Sequence, residues 1–184
     1  MKPIYLRNIP PPAETFNHIY FLEFMASWIK PEHYLELGVR SGVSLLKNTP
    51  YCNKVTGVDV ASPQFEVPAN TKIYTTTTDD YFDNINNSYM FDMVFIDADH
   101  SYEQSLKDFN NVKNYVIEEG FIFLHDTSPY CKEFTSPKFC DDAYKTALHI
   151  KQNYIDEWEI VTLPFNPGLS ILKKINRNKQ ILWK

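Results

Sequence analysis

Y-L-E-L-G-V-R-S-G, residues 34–42, runs from a short apolar stretch into a turn with glycine at 38 and 42, and V-T-G-V-D-V, residues 55–60, brings a second such stretch to an acid. The same form recurs at Ile73–Thr77, Phe91–Ile96 and Phe121–Leu124. Each run is short, rich in β-branched or aromatic residues, and bounded by polar residues or glycine, as strands are. Near-continuous apolar runs suit strands covered on both faces. Between them the spacing predicts helices at Ser41–Lys47, Asp79–Ile85 and Ser101–Val116, the last with Leu106, Phe109, Val112, Tyr115 and Val116 on one stripe. Alternating strands and helices imply right-handed crossovers, hence an α/β, Rossmann-like, mostly parallel sheet with helices on both faces. The link Val60–Ile73 should be irregular, because Pro63 and Pro68 leave little room for a helix.

Outside this core, residues 14–29 place Phe16, Ile19, Tyr20, Leu22, Phe24, Met25, Trp28 and Ile29 at spacings of three and four, a helix that stops near Pro31. A last helix is expected over Asp141–Asn153. The runs Trp158–Phe165 and Leu169–Ile175, joined by Asn166, Pro167 and Gly168, leave room only for a tight turn, so they should pair antiparallel at the sheet edge. The chain reads as one domain: a helical extension over 1–30, a cofactor-binding core over 31–175 and a tail over 176–184. At 184 residues it lies below the roughly 250–300 at which single cores split. Its 28 Phe, Trp and Tyr residues supply ample apolar area for that core.

Composition excludes several classes. No run approaches the ~18 apolar residues of a membrane span, and the first dozen residues lack the apolar stretch of a signal peptide, so a cytoplasmic protein is expected. Cys52, Cys131 and Cys140 are odd in number and lack C-x-x-C spacing, which indicates neither a disulfide framework nor a zinc knuckle. The net charge is −5, yet Lys173, Lys174, Arg177, Lys179 and Lys184 face no acid after Glu159. Residues 1–160 therefore carry 13 basic against 23 acidic side chains. Such a body repels a polyphosphate backbone, so no nucleic-acid partner is expected.

A glycine turn leading from a strand into a helix lets the backbone bend sharply, and free N–H groups at the helix start favour an anion. Glu36, Gly38, Ser41 and Gly42 form that turn. Asp59 ends the second run, 21 residues after Gly38, where a carboxylate accepts the hydroxyls of an adenosine ribose. The polar stretch T-T-T-T-D-D, residues 75–80, follows the third run and puts Thr78 and Asp79 in reach of an adenine, although both also suit a helix N-cap. Nicotinamide cofactors favour G-x-G-x-x-G. Here Arg40 stands where its second glycine would be, and Glu36 suits an ammonium better than a pyrophosphate, which favours S-adenosylmethionine. A nicotinamide-dependent oxidoreductase is the rival enzyme, and a non-catalytic cofactor-binding module the rival from another class.

The fourth run leads into I-D-A-D-H-S-Y and the fifth into H-D-T. Ligands of open α/β sheets sit outside the carboxyl ends of the strands, so Asp97, Asp99, His100, His125 and Asp126 should converge beside the cofactor. Asp99 and Ser101 equally suit caps of the next helix, and His125 a satisfied core histidine. Methyl transfer needs an oxygen or nitrogen nucleophile stripped of its proton, and two routes are open. Asp97 and Asp126 hold Mg²⁺ or another divalent cation that lowers the pKa of a substrate hydroxyl, or His100 or His125 acts as base. The stretch Thr127–Cys140 lacks periodicity and reads as a loop that selects the substrate.

Taken together, E-L-G-V-R-S-G, V-D-V, F-D-M-V-F-I-D-A-D-H-S-Y-E and G-F-I-F-L-H-D-T resemble the class I S-adenosylmethionine-dependent methyltransferases. The likeness is to the branch with I-D-x-D-H-x-Y and H-D-T motifs, related to catechol and sugar O-methyltransferases, and covers about residues 33–175. It implies a seven-stranded sheet with a C-terminal antiparallel hairpin, and O-methylation of a small hydroxylated acceptor, a sugar or a phenol. It also implies Glu36, Gly38 and Ser41 near the methionine moiety, Asp59 on the ribose, Thr78 or Asp79 near the adenine, and Asp97 and Asp126 as the metal-binding acids. Asp97 would then border the cofactor as well. Thr127 stands where catechol-type members carry an Asn ligand. The assembly is left open, a homodimer included.

Overall fold

A computed structural model of the chain describes residues 17–85, 89–165 and 167–176. The elements, in order, are α1 (His18–Ile29), β1 (His33–Leu37), α2 (Val43–Asn48), β2 (Lys54–Asp59), β3 (Thr71–Thr75), α3 (Thr78–Asp83), β4 (Phe91–Ile96), α4 (Tyr102–Val112), β5 (Val116–His125), α5 (Tyr144–Asn153), β6 (Trp158–Leu163) and β7 (Leu169–Lys174). They build one seven-stranded sheet in the order β3-β2-β1-β4-β5-β7-β6. The first five strands are parallel, β7 runs antiparallel to β5, and β6 pairs antiparallel with β7 at the edge. The chain winds outward from β1 through β2 to β3, then returns to lay β4 on the other side of β1. That reversal opens a crevice at the strand tips.

Successive residues along the inner strands face opposite layers, as the pleat requires. Leu35, Leu37, Val94, Ile96, Ile122 and Leu124 pack with Tyr81 and Phe82 of α3, Phe109 and Val112 of α4, and Ile150 of α5. Tyr34, Met93, Phe95 and Phe123 pack on the other side with Leu22, Met25 and Ala26 of α1 and Leu45 of α2. Phe109 is fully buried and meets the Tyr154 and Trp158 rings edge-on. Truncating a side chain so placed costs about 3–5 kcal/mol.

Local chemistry sets the helix ends. Asn17 Oδ1 accepts the Ile19 and Tyr20 N–H groups, starting α1 at His18, and Lys30 ends it in the left-handed conformation just before Pro31. Ser101 caps α4, and Asp99 accepts the Ser101 N–H, so these two serve the helix start. Thr77, not Thr78 or Asp79, caps α3 by accepting the Asp80 N–H.

The second crossover carries no helix between β2 and β3, as its prolines demand. The fourth helix is shorter than expected: α4 stops at Val112, a 3-10 turn spans Lys113–Tyr115, and Val116 opens β5. The register jumps from Phe91↔Val116 to Met93↔Phe121, with Glu119 at φ 64 taking up the extra residues. Among the described residues no helix is long and apolar enough to cross a membrane. Residues 14–16 of the expected first helix, and 177–184 of the expected tail, lie outside the described residues.

Candidate active site

A cavity of about 930 Å³ lies over the strand tips, and Gly38, Ser41, Asp59, Thr78, Asp79, Asp97, His100, His125 and Asp126 all contribute to its wall. Glu36 and Gly42, the other two residues expected at the cofactor, do not line it.

The glycines serve protein-to-protein approach first. Gly38 has φ 87, and a Cβ there would overlap the Asp97 carbonyl and the Ala98 Cα, so glycine lets the tips of β1 and β4 meet. Gly42 has φ 75 and lies under the Phe65 ring, which descends from the second crossover. Asp59 binds the turn itself: Oδ2 accepts the Val39 (2.8 Å) and Arg40 (2.7 Å) N–H groups, and Oδ1 accepts that of Ala61 (2.8 Å).

Glu36 sits beneath the turn, fully buried, with Tyr34 Oη and Ser44 Oγ each donating to it at 2.5 Å. Burial pushes its carboxyl up to about 8 against those two hydrogen bonds, and the Asp97 charge adds to the rise. An unfolded chain releases this proton near 4.5, so between pH 4.5 and about 8 the folded state holds a proton that the unfolded state has lost. Stability therefore falls as pH rises through that window. Glu36→Gln cannot ionise and keeps an acceptor oxygen, so it should match the native protein at pH 4 and exceed it at pH 8 by on the order of 4 kcal/mol. Urea melts at the two pH values check this, and parallel curves would refute it.

On the adenine side, Thr78 Oγ1 donates to the buried Asp108 (2.6 Å), and Gln104 Nε2 reaches both Thr78 (3.1 Å) and Asp108 (3.0 Å). The Lys107 ammonium, 2.6 Å from Asp79, outweighs the small effect of burial and holds that carboxyl below its usual range. Gln104 also lines the cavity, and the sequence reading missed it. Ser101 and Gln104 have capping-box spacing, yet the Gln side chain crosses to α3.

The titratable cluster is tighter than strand-tip placement alone required. His125 Nδ1 lies 2.9 Å from Asp97 Oδ1 and 3.5 Å from Asp126 Oδ1. Burial opposes charge on His125, but the two carboxylates outweigh it and hold the ring up to about 10. Asp126 adopts φ 59, which Asp tolerates better than most residues, and although burial works the other way His125 and His100 keep it below its usual range. His100 Nδ1 donates to the Phe139 carbonyl at 2.6 Å, while its Nε2 is 3.6 Å from Asp97 Oδ1.

That leaves Asp126 Oδ2 buried with no hydrogen bond of acceptable geometry. His100 Nδ1 is 3.1 Å away, but its proton points to Phe139, and the neighbouring Cys140 thiol, pushed up to about 12 by burial and Asp126, is a weak donor. Asp97, His100 and Asp126 each present one ligand atom, all within 4.8 Å of one another, so the donor set and the unsatisfied oxygen fit a hard divalent cation. Thr127 turns away and accepts from Ser170 Oγ (2.9 Å).

Two contributions come from elsewhere. His18, the first residue of α1, brings Nδ1 to 3.1 Å from His125 Nε2, and burial, then the His125 charge, lower its pKa to about 4. No motif announced it. From the expected substrate loop, Phe134, Lys138, Phe139 and Cys140 reach the wall, with Phe134 and Phe139 stacked at 5.0 Å.

A family model described as "Methyltransferase domain" matches residues 35–127. No curated protein matches the chain in sequence. Among solved structures, the SAH-bound Podospora anserina methyltransferase PaMTH1 aligns with TM-score 0.69 and 15% identity over 86% of this chain and 78% of that one. The O-methyltransferase from Bacillus cereus in complex with SAH aligns with TM-score 0.64 and 14% identity, over 90% and 84%. The N-methyltransferase NodS from Bradyrhizobium japonicum aligns with TM-score 0.57 and 12% identity, over 86% and 93%. At such identities the likeness is one of fold, and it spans different acceptor atoms.

Proposed function

Because the chain belongs to the methyltransferase domain family, whose model spans residues 35–127, we propose that it transfers a methyl group from S-adenosylmethionine to a hydroxyl of a small acceptor, sugar or phenol-like. The nicotinamide-dependent reading falls with that membership. The reading takes the chain as a single cytoplasmic domain that can pair as a homodimer through the exposed apolar area of Tyr20, Phe24 and Trp28. The observation that supports the activity most is the meeting of Gly38, Asp59, Asp97 and Asp126, far apart in sequence, on the wall of one cavity.

In this reading the methionine end lies against Gly38 and Ser41, with Glu36 and Gly42 shaping the turn from behind. The adenine lies against Thr78 and Asp79. Asp59 Oδ2 already accepts two N–H groups and Oδ1 one, so a single lone pair of Oδ1 is left for a ribose hydroxyl. Asp59→Ala removes that acceptor and loosens the turn. Calorimetry should show cofactor affinity falling roughly 10–100-fold, as for a lost hydrogen bond to a charged group. Unchanged affinity would sink the assignment.

In the transfer, the acceptor oxygen forms a bond to the methyl carbon as the S–CH3 bond breaks, the sulfonium leaves as a neutral thioether, and the hydroxyl proton goes to a base. His125 is poorly placed for that proton, since both its nitrogens are engaged, by Asp97 and by His18. His100 suits the task. Its Nδ1–H is fixed on the Phe139 carbonyl, which leaves Nε2 as the free lone pair, and Asp97 and Asp126 flank the imidazolium that results. Aligning the acceptor contributes more than the base does, with effective molarities of up to about 10⁵–10⁸ M against a factor of about 10²–10⁴.

The unsatisfied Asp126 Oδ2 favours a second reading, in which Asp97, Asp126 and His100 hold Mg²⁺ or a similar ion. Bound there, a divalent cation supplies positive charge that lowers the pKa of the acceptor hydroxyl. Chelation followed by Mg²⁺ or Mn²⁺ addition separates the two: activity that survives exhaustive chelation removes the metal reading.

A further inference from the structure

We propose that His18 is a positioning residue of the site: its Nδ1 hydrogen-bonds His125 Nε2 and so fixes that ring between Asp97 and Asp126, making α1 part of the catalytic apparatus. The inference deepens the methyltransferase reading and rests on it for its functional meaning.

Sequence and packing place the residue. Asn17 caps the helix so that His18 is its first residue, and Leu22, Met25 and Ala26 anchor the next turns in the core layer formed by Tyr34, Phe95 and Phe123. This projects the His18 ring over the carboxyl ends of β4 and β5, where it stacks on Phe95 at 6.3 Å and tilts against His125 at 3.9 Å between centroids.

Asp97 only accepts, so His125 Nδ1 carries a proton. The remaining nitrogen, Nε2, has His18 Nδ1 as its hydrogen-bond partner at 3.1 Å among the described residues. One proton lies between these two nitrogens, and whichever ring carries it the bond ties α1 to the tip of β5. Two bonds on opposite corners of the imidazole define its plane and its rotation. With the Asp97 bond alone, the ring could turn about χ2 and carry its N–H off the carboxylate. A residue of the N-terminal helix thus holds in place the group that keeps two facing acids together.

The alternative is that His18 only fills space over Phe95, and it predicts something different. Histidine-selective ¹⁵N–¹H spectra of the full chain, assigned with His125→Asn and His18→Gln, should show a protected ring N–H held between His125 and His18. His18→Phe keeps the ring and the packing but removes the hydrogen-bonding nitrogen, so that proton should exchange about tenfold faster or vanish. His18→Gln restores a side-chain amide that can pair with His125 Nε2 in either direction and should recover part of the protection. A His125 spectrum identical in native protein and His18→Phe would overturn the proposal and leave the methyltransferase reading untouched. Should His18→Phe fail to fold by circular dichroism, His18→Gln against His18→Leu decides by the same signal. Failure of the native protein to bind S-adenosylmethionine in calorimetry would remove the methyltransferase reading while the spectra still report on the histidine pair.

Discussion

Gly38→Ala should destabilise the fold by about 3 kcal/mol and abolish cofactor binding. Two costs add at this position. At φ 87 any side chain is strained, which costs on the order of 1 kcal/mol, and the new Cβ meets the backbone of Asp97 and Ala98. Backbone cannot swing aside, so the tips of β1 and β4 must part. Overpacking of this kind typically costs another ~1–3 kcal/mol. For a chain of 184 residues that is a fall in Tm of roughly 10 °C. Asp97 would move with the tip, taking its His125 contact along. Gly42→Ala is the control, because its Cβ meets the ring of Phe65, a side chain that can rotate away. Calorimetric melts should rank the two clearly. Equal losses would show that positive φ alone matters at the turn and that the β1–β4 approach does not.

That approach was half legible beforehand. Glycine at 38 announced a turn, but the partner that needs it to be glycine lies 59 residues away, and nothing local in E-L-G-V-R-S-G encodes Asp97. The parallel strands and the hairpin were legible because burial on both faces leaves a strong local signature of apolar residues. The junction of α4 and β5 was not. Val112 and Val116 stand four apart, a spacing a helix would use, while Val116 in fact pairs with Phe91 in the sheet. A four-residue interval cannot separate one more helical turn from the start of a strand, and tertiary pairing decided it. At the site, motifs that end strands revealed Asp97, His100, His125 and Asp126. His18 and Gln104 went unseen because they sit inside helices whose pattern is explained by packing alone. Their partners, His125 and Thr78, are brought near only by the sheet.

His100→Asn should lower kcat for methyl transfer by about 10²–10⁴-fold while leaving cofactor affinity within roughly a factor of two. The amide of Asn can still donate to the Phe139 carbonyl in place of Nδ1, so the loop that lines the cavity stays tethered. Only the basic Nε2 is gone. If that nitrogen takes the acceptor proton, the variant must wait for the hydroxyl to ionise by itself, and its rate should climb about tenfold per pH unit until the hydroxyl pKa is reached. A role in holding a cation gives another signature: the rate of the variant would return as Mg²⁺ is raised, because Asp97 and Asp126 would still offer two carboxylates to a weaker site. Single-turnover rates across pH, with and without added Mg²⁺, separate these outcomes. A variant with native kcat at every pH would deny His100 either role. The proton would then leave through another strand-tip acceptor, of which Asp97, with 26% of its side chain exposed, lies 3.6 Å from His100 Nε2 on the cavity wall.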